Sequence, residues 1–490
     1  MILRKLAGQT ATYGMSTIIV KFINYLLTPY LTNILTESQY GVQSYYYSFI
    51  PFGLTLLTMG LETGYFRFVG KSETAEEKNR VFSTIFTTVS LTSLLFFIAV
   101  CLFTGPIYRF TADLGAGSIS LIPIVGALIA IDAITAIPYA KLRAQERAKR
   151  FLATRVINVL VNVFFCVFFY SVLPLFKDSA LLGWMWIEGY GAGYVFIANL
   201  IASITTLFML LPQMESVKLH IDRKLLKALL LFSAPLLISG ISGTANEFID
   251  RQLLAILLPT DIKMSSVGIY SGVMKVAALM YLFIQMYRFA AEPFFLSNVK
   301  KEDFKLANAE AMKYFIIVSV MIFLGITLYM DIFQYFIGAP FRVGLRIVPI
   351  LLLSNMFIGI YVNLSFWYKV TEKTHFALII TLAGLAVTII LNFALIPLLG
   401  YEGSAWARLG CESSMVLLSY FLNQKYYPIP YDLKTIFKYM GAGAVIYTIS
   451  VVLPIEHTAL RLLANTILFI TFILFFIQQE KINLRSILKH

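Results

Sequence analysis

The chain has 490 residues, of which 59% are hydrophobic and only 13% charged, with a formal net charge of +13. Soluble domains average about 25% charged residues, and here apolar runs recur along the whole length, which excludes a soluble globular enzyme and indicates a multi-pass membrane protein. The basic excess lies in the loops, where it reflects topology and attraction to an anionic leaflet rather than nucleic-acid binding.

Fourteen helices are expected, each near or above the length that spans a bilayer. The first six run at roughly 8–35, 39–69, 80–103, 117–140, 151–173 and 183–211. The next six run at roughly 228–258, 266–297, 311–330, 347–368, 376–397 and 403–423. The last two run at roughly 436–453 and 460–479. Arg4 and Lys5 precede an apolar segment too long for a signal-peptide core, so that segment is read as a retained first helix. Lys and Arg crowd into alternate loops, which predicts cytoplasmic N- and C-termini. The loops are too short for a soluble catalytic domain, and no Gly-rich phosphate loop followed by Lys-Ser/Thr is present, so neither an enzyme of glycan assembly nor an ATPase is expected.

An internal repeat is visible. Tyr40-Gly41-Val42 opens helix two, and Val267-Gly268-Ile269-Tyr270 opens helix eight. Pro123 matches Pro349, and Arg143-Ala144-Gln145-Glu146 resembles Lys369-Val370-Thr371-Glu372 at the same separation. The repeat predicts an N-lobe over 1–222, a C-lobe over 223–425, and a terminal pair of helices with a cytoplasmic tail over 426–490. Six helices per lobe is even, so the lobes repeat in parallel about the membrane normal.

Charge inside the helices points to function. An ionisable group at the bilayer centre costs about 2.5–3.5 kcal/mol on insertion scales, so it faces a partner or a cavity. The basic residues in expected helices are Lys21, Arg67, Arg155, Arg251, Lys275, Arg288 and Arg408; the acids are Glu62, Asp132, Glu188, Glu247, Asp250, Glu292 and Glu412. Glu247–Arg251, Arg288–Glu292 and Arg408–Glu412 are spaced to share a helix face, leaving Asp250 as an additional acid. Lys21 and Lys275 have no acid three or four positions away. They need an anion from another helix or from a ligand, and a pyrophosphate would satisfy several cations at once. The substrate-binding candidates are therefore Lys21, Arg67, Arg251, Lys275 and Arg288. Glu62, Asp132, Glu247 and Asp250 are candidates for coupling to a proton or sodium ion. Glu62 and Asp132 pair equally well with Lys21, and sequence leaves that open. Arg155, nearer the edge, is expected to snorkel. Pro235, Gly240 and Gly243 either loosen helix seven or let it pack closely. Tyr45-Tyr46-Tyr47 spreads around a helix and cannot form one sugar-stacking platform. Cys101, Cys166 and Cys411 lie in apolar runs as free thiols, and His220, His375, His457 and His490 fall in loops or at the end, so no metal site or cofactor is expected.

Several stretches together resemble the bacterial polysaccharide flippases of the Wzx type, in the multidrug/oligosaccharidyl-lipid/polysaccharide exporter superfamily. They are Leu6-Ala7-Gly8-Gln9-Thr10, Leu35 to Gly41, Gly60 to Arg67, and Leu395 to Ala407. The resemblance implies an all-α fold of two six-helix lobes in a V plus two C-terminal helices, working by alternating access. It implies transfer of an undecaprenyl-pyrophosphate-linked oligosaccharide from the inner to the outer leaflet of the bacterial cytoplasmic membrane, without covalent chemistry. In a related flippase of the cell-wall precursor, cations on helices one, two, seven and eight bear on function, and Lys21, Arg67, Arg251 and Arg288 lie on the corresponding helices. Implied partners are the lipid-linked oligosaccharide, membrane lipids, a glycan polymerase with its assembly proteins, and a coupling ion, H+ or Na+. The rival within the superfamily is a cation-coupled multidrug antiporter, whose pocket should be net acidic.

Overall fold

The structure, a computed structural model, describes residues 2–215, 217–218, 221–297 and 304–481, with side chains from residue 18 on apart from 293, 296 and 297. All of its regular structure among these residues is helical. The first half comprises α1 (Ile2–Ile34), α2 (Glu37–Thr58), α3 (Leu61–Lys71), α4 (Ala75–Leu102), α5 (Thr104–Asp113), α6 (Leu121–Ala144), α7 (Ala148–Val167) and α8 (Gly193–Met214). Next come α9 (Arg223–Leu257), α10 (Lys263–Ser297), α11 (Phe304–Thr327), the short α12 (Met330–Phe333), α13 (Val348–Leu364) and the short α14 (Phe366–Val370). The chain continues with α15 (His375–Leu399), α16 (Tyr401–Tyr426), α17 (Leu433–Val452) and α18 (Thr458–Gln479). Among the described residues, 11 helices are long and apolar enough to cross a membrane; α1, the α2–α3 pair and α16 account for the rest of the expected fourteen.

Three departures from the expected map have local causes. Helix two breaks at Met59 and Gly60, both left-handed at φ 50° and φ 69°. Helix six starts at Gly193 instead of near 183, because Gly189 and Gly191 take positive φ and interrupt the helix. Trp184 therefore lies in a single 3-10 turn with Trp186 just after it, and Glu188 is exposed beyond them rather than inside a membrane helix. Helix α5, short and amphipathic, was not expected from the apolar runs.

Polar caps fix the helix starts. Thr36 with Gln39 and Thr74 with Glu77 form reciprocal capping boxes on α2 and α4. Asp222 caps α9, accepting from the backbone N–H of Lys224 at 3.0 Å and Leu225 at 3.1 Å. Those amides, Leu225 foremost, together with the nearby Arg80 hold its carboxyl below the usual carboxylate range. The helix α9 runs unbroken through Pro235. A Cβ on Gly240 would lie 3.1 Å from Thr55 on α2, so this glycine serves close packing. His375 opens α15 and His457 precedes α18; His220 and His490 lie outside the described residues. Leu6 to Thr10 lie on α1, with their side chains outside the description.

The chain divides into two compact units, 1–272 with 377–407, and 273–376 with 408–490. In the first, α6 packs between α4 and α8, and α2 packs on α6 and α9. In the second, α11 packs against α13, α17 and α18. Arg461 grips Asp331 through two bonds of 2.7 and 2.6 Å, and Lys313 meets Glu480 at 2.7 Å, which ties α18 to its neighbours.

The repeat seen in sequence has physical counterparts. Pro123 and Pro349 each sit in the first turn of a helix, where a missing N–H costs nothing. Glu146 and Glu372 both turn left-handed, at φ 57° and 58°, and end α6 and α14 with the same pattern of backbone bonds. Gly41 and Gly268 meet directly. A Cβ on Gly41 would lie 1.8 Å from the Met264 carbonyl oxygen, and one on Gly268 would lie 1.9 Å from that of Glu37. Either glycine changed to alanine forces backbone apart. Overpacking of this kind costs about 1–3 kcal/mol or more, and thermal unfolding in detergent will show a lowered melting temperature for both variants.

Candidate functional site

Inside the first unit, three apolar helices each carry a polar stripe at helical spacing, and the stripes converge. On α6 the stripe is Asp132, Thr135, Tyr139 and Arg143; on α7 it is Arg155 and Asn158; on α8 it is Asn199, Ser203 and Thr206. With Glu62 of α3 they line a cavity of about 300 Å³. Ser203 Oγ donates to Asp132 Oδ1 at 2.7 Å. Asn158 Nδ2 donates to Thr206 Oγ1 at 2.9 Å, and Asn199 Nδ2 donates to the Tyr47 hydroxyl at 2.8 Å. Arg143 Nη2 donates to Glu62 Oε2 at 2.7 Å. The Arg155 guanidinium, expected to snorkel, lies over the Tyr139 ring at 4.2 Å and joins the cavity wall.

Two of the sequence candidates, Glu62 and Asp132, thus share one cavity. Its uncharged polar members were missed because hydroxyl and amide groups do not stand out in an apolar helix as charges do. The signal available was their spacing of three, four or seven on three successive helices.

A second cluster lies on α9 and α10 in the same unit. Glu247 and Arg251 share a helix face by spacing. Arg251 binds Asp250 Oδ1 at 3.0 Å, and the Glu247 backbone carbonyl accepts from it at 3.1 Å. Tyr270, fully buried, donates to Asp250 Oδ2 at 2.7 Å. Asp250 is therefore a carboxylate that engages Arg251. The short Asp side chain folds back onto its own turn, and Tyr270 fixes it there. Lys21 is half-buried on α1, and Arg67 lies 4.1 Å over the Phe232 ring. In the second unit Lys275 is exposed on α10. Arg288 meets Glu292 at 3.3 Å, and Lys369 reaches the same carboxylate at 2.6 Å. Arg408 and Glu412 are both buried on α16. Among the described residues no group of three His, Cys, Asp or Glu could hold a metal ion.

The sequence matches the family described as polysaccharide biosynthesis protein over residues 6–299, more than half of the chain. The chain belongs to that family. Among curated proteins, none matches this polysaccharide biosynthesis protein by sequence. Its fold is that of solved transporters. It is similar to the lipid II flippase MurJ in an inward closed conformation, at 17% identity and a TM-score of 0.73, over 96% of this chain and 99% of that one. It is also similar to an inward-facing multidrug resistance MATE family transporter of the MOP superfamily, at 13% identity and a TM-score of 0.62, over 86% of this chain and 99% of that one. A third is an outward-facing multidrug resistance MATE family transporter of the MOP superfamily, at 14% identity and a TM-score of 0.60, over 86% of this chain and 95% of that one. The family member is thus an all-α, multi-pass membrane protein with the fold of these transporters.

Proposed function

We propose that this protein moves a lipid-linked, pyrophosphate-bearing oligosaccharide from the inner to the outer leaflet of a bacterial cytoplasmic membrane by alternating access, without covalent chemistry. The observation that carries the reading is the family match, polysaccharide biosynthesis, on a chain with the fold of flippases and exporters. On this reading Lys21, Arg67, Arg251, Lys275 and Arg288 are the cations that meet the pyrophosphate, and Arg251 and Arg288 must loosen their carboxylates to do so. Asp132 is the seat of a coupling proton or sodium ion. Both termini face the cytoplasm, and glycan polymerase and assembly proteins act on the delivered product.

One feature of the repeat supports Asp132 in that role. In the register that aligns Pro123 with Pro349 and Arg143 with Lys369, Ile358 stands where Asp132 does. The acid belongs to one half alone, so it is no part of the shared architecture. The test is translocation in reconstituted vesicles. A lipid-linked oligosaccharide is presented on one leaflet, and its arrival is read by an enzyme acting on the other. Wild type should translocate it, and Lys21→Ala should fall at least tenfold while still inserting. Undiminished translocation by Lys21→Ala removes the lysine from the site. Failure of wild type to move the glycan, with efflux of a cationic dye instead, replaces the reading with a drug antiporter.

A further inference from the structure

The cavity in the first unit has a closure that the coupling reading does not require. Along α6, Arg143 stands eleven positions from Asp132 on the same face, a rise of about 16 Å at 1.5 Å per residue. Arg143 and Glu62 are about a third exposed, at 37% and 34%. The ion pair and Asp132 therefore line opposite ends of the cavity. Arg143 holds α3 twice, through Glu62 and by lying 5.0 Å over the ring of Phe66.

Helix α3 is short, and the break that precedes it is the kind that pivots. Two consecutive left-handed residues, Met59 and Gly60, separate it from α2. Ser233 Oγ of α9 donates to the Gly60 carbonyl at 3.3 Å, which anchors the pivot, and the body of α3 is held by the pair together with packing of Tyr65 on Phe82 and of Arg67 on Phe232. Ion pairs this exposed hold only weakly, which suits a contact that must open and re-form.

In the second unit Lys369, the repeat counterpart of Arg143, also meets an acid, Glu292, at 2.6 Å near the end of α10, although in that register Arg288 stands where Glu62 does.

We propose that the Glu62–Arg143 pair is a latch: it holds α3 across the end of the cavity, and α3 swings on Met59–Gly60 to admit water and small cations to Asp132. The latch deepens the coupling reading of Asp132, but its test reads access alone. In a background with Cys101, Cys166 and Cys411 replaced by alanine, Ser203→Cys places a thiol beside Asp132. Vesicles are treated with a small, water-soluble, cationic thiosulfonate, and the labelling rate is measured.

Glu62→Gln and Arg143→Gln should each raise that rate at least tenfold. The charge swap Glu62→Arg with Arg143→Glu should bring it back to within twofold of the parent. Cys101, exposed and remote, is restored alone in a parallel set, and its unchanged rate confirms an inserted fold in every variant. Equal labelling in parent and single variants overturns the latch, as does a swap that labels as fast as the singles. A latch that passes while Asp132→Asn leaves gradient-driven transport intact keeps the proposal and discards the coupling reading.

Discussion

Arg251→Ala will yield a protein that unfolds at markedly lower temperature in detergent. The substitution takes the guanidinium from Asp250, which is 3% exposed and bonded to the fully buried Tyr270. Removing one member of a buried ion pair costs about 3–5 kcal/mol, because the remaining charge keeps its desolvation penalty. Adding Asp250→Asn removes that charge and keeps an acceptor for Tyr270, so the double variant should recover much of the loss. The two measurements separate two roles for Arg251. A single variant that melts like wild type yet fails to translocate assigns the guanidinium to the substrate. One that melts early and is rescued by Asp250→Asn assigns it to the packing of α9 on α10.

Most of the helical map was legible because membrane helices announce themselves by length and apolarity alone. What the apolar runs could not carry were places where one or two residues overrule a run. Met59 and Gly60 sit in an unbroken hydrophobic stretch, and a glycine there reads as tolerated inside a helix; only the backbone reveals the left-handed turn. The apolar run placed the start of helix six near 183, whereas Gly189 and Gly191 set the boundary at Gly193. Helix α5 carries too little apolar surface to stand out. The charged site was half legible. Spacing identified Arg288 with Glu292, which share a helix face. For Arg251 spacing pointed to Glu247, and it did not show that Asp250 also engages the guanidinium, held in place by Tyr270 from the next helix. Likewise Glu62 finds Arg143 across the fold, and no local rule links them.

Asp132→Asn will uncouple transport from its ion gradient while leaving downhill movement intact. The substitution preserves shape, and the Asn carbonyl oxygen still accepts from Ser203 Oγ as Asp132 Oδ1 does at 2.7 Å. What it removes is a charge. Of the cavity's two cations, Arg143 is held by Glu62, while Arg155 lies over the Tyr139 ring in the same cavity wall and acts on Asp132 by its charge. A carboxylate within a membrane bundle calls for a counter-charge, and on the coupling reading a proton or a small cation shares that role with Arg155. If one proton crosses per cycle, a pH difference of one unit contributes about 1.4 kcal/mol, a tenfold bias in the substrate distribution. Vesicles bearing the variant should show no such bias in either a proton or a sodium gradient, and wild type should show it in one of them. A variant that responds to both gradients as wild type does takes the coupling role away from Asp132. In that case its bond to Ser203 is only what keeps α6 against α8.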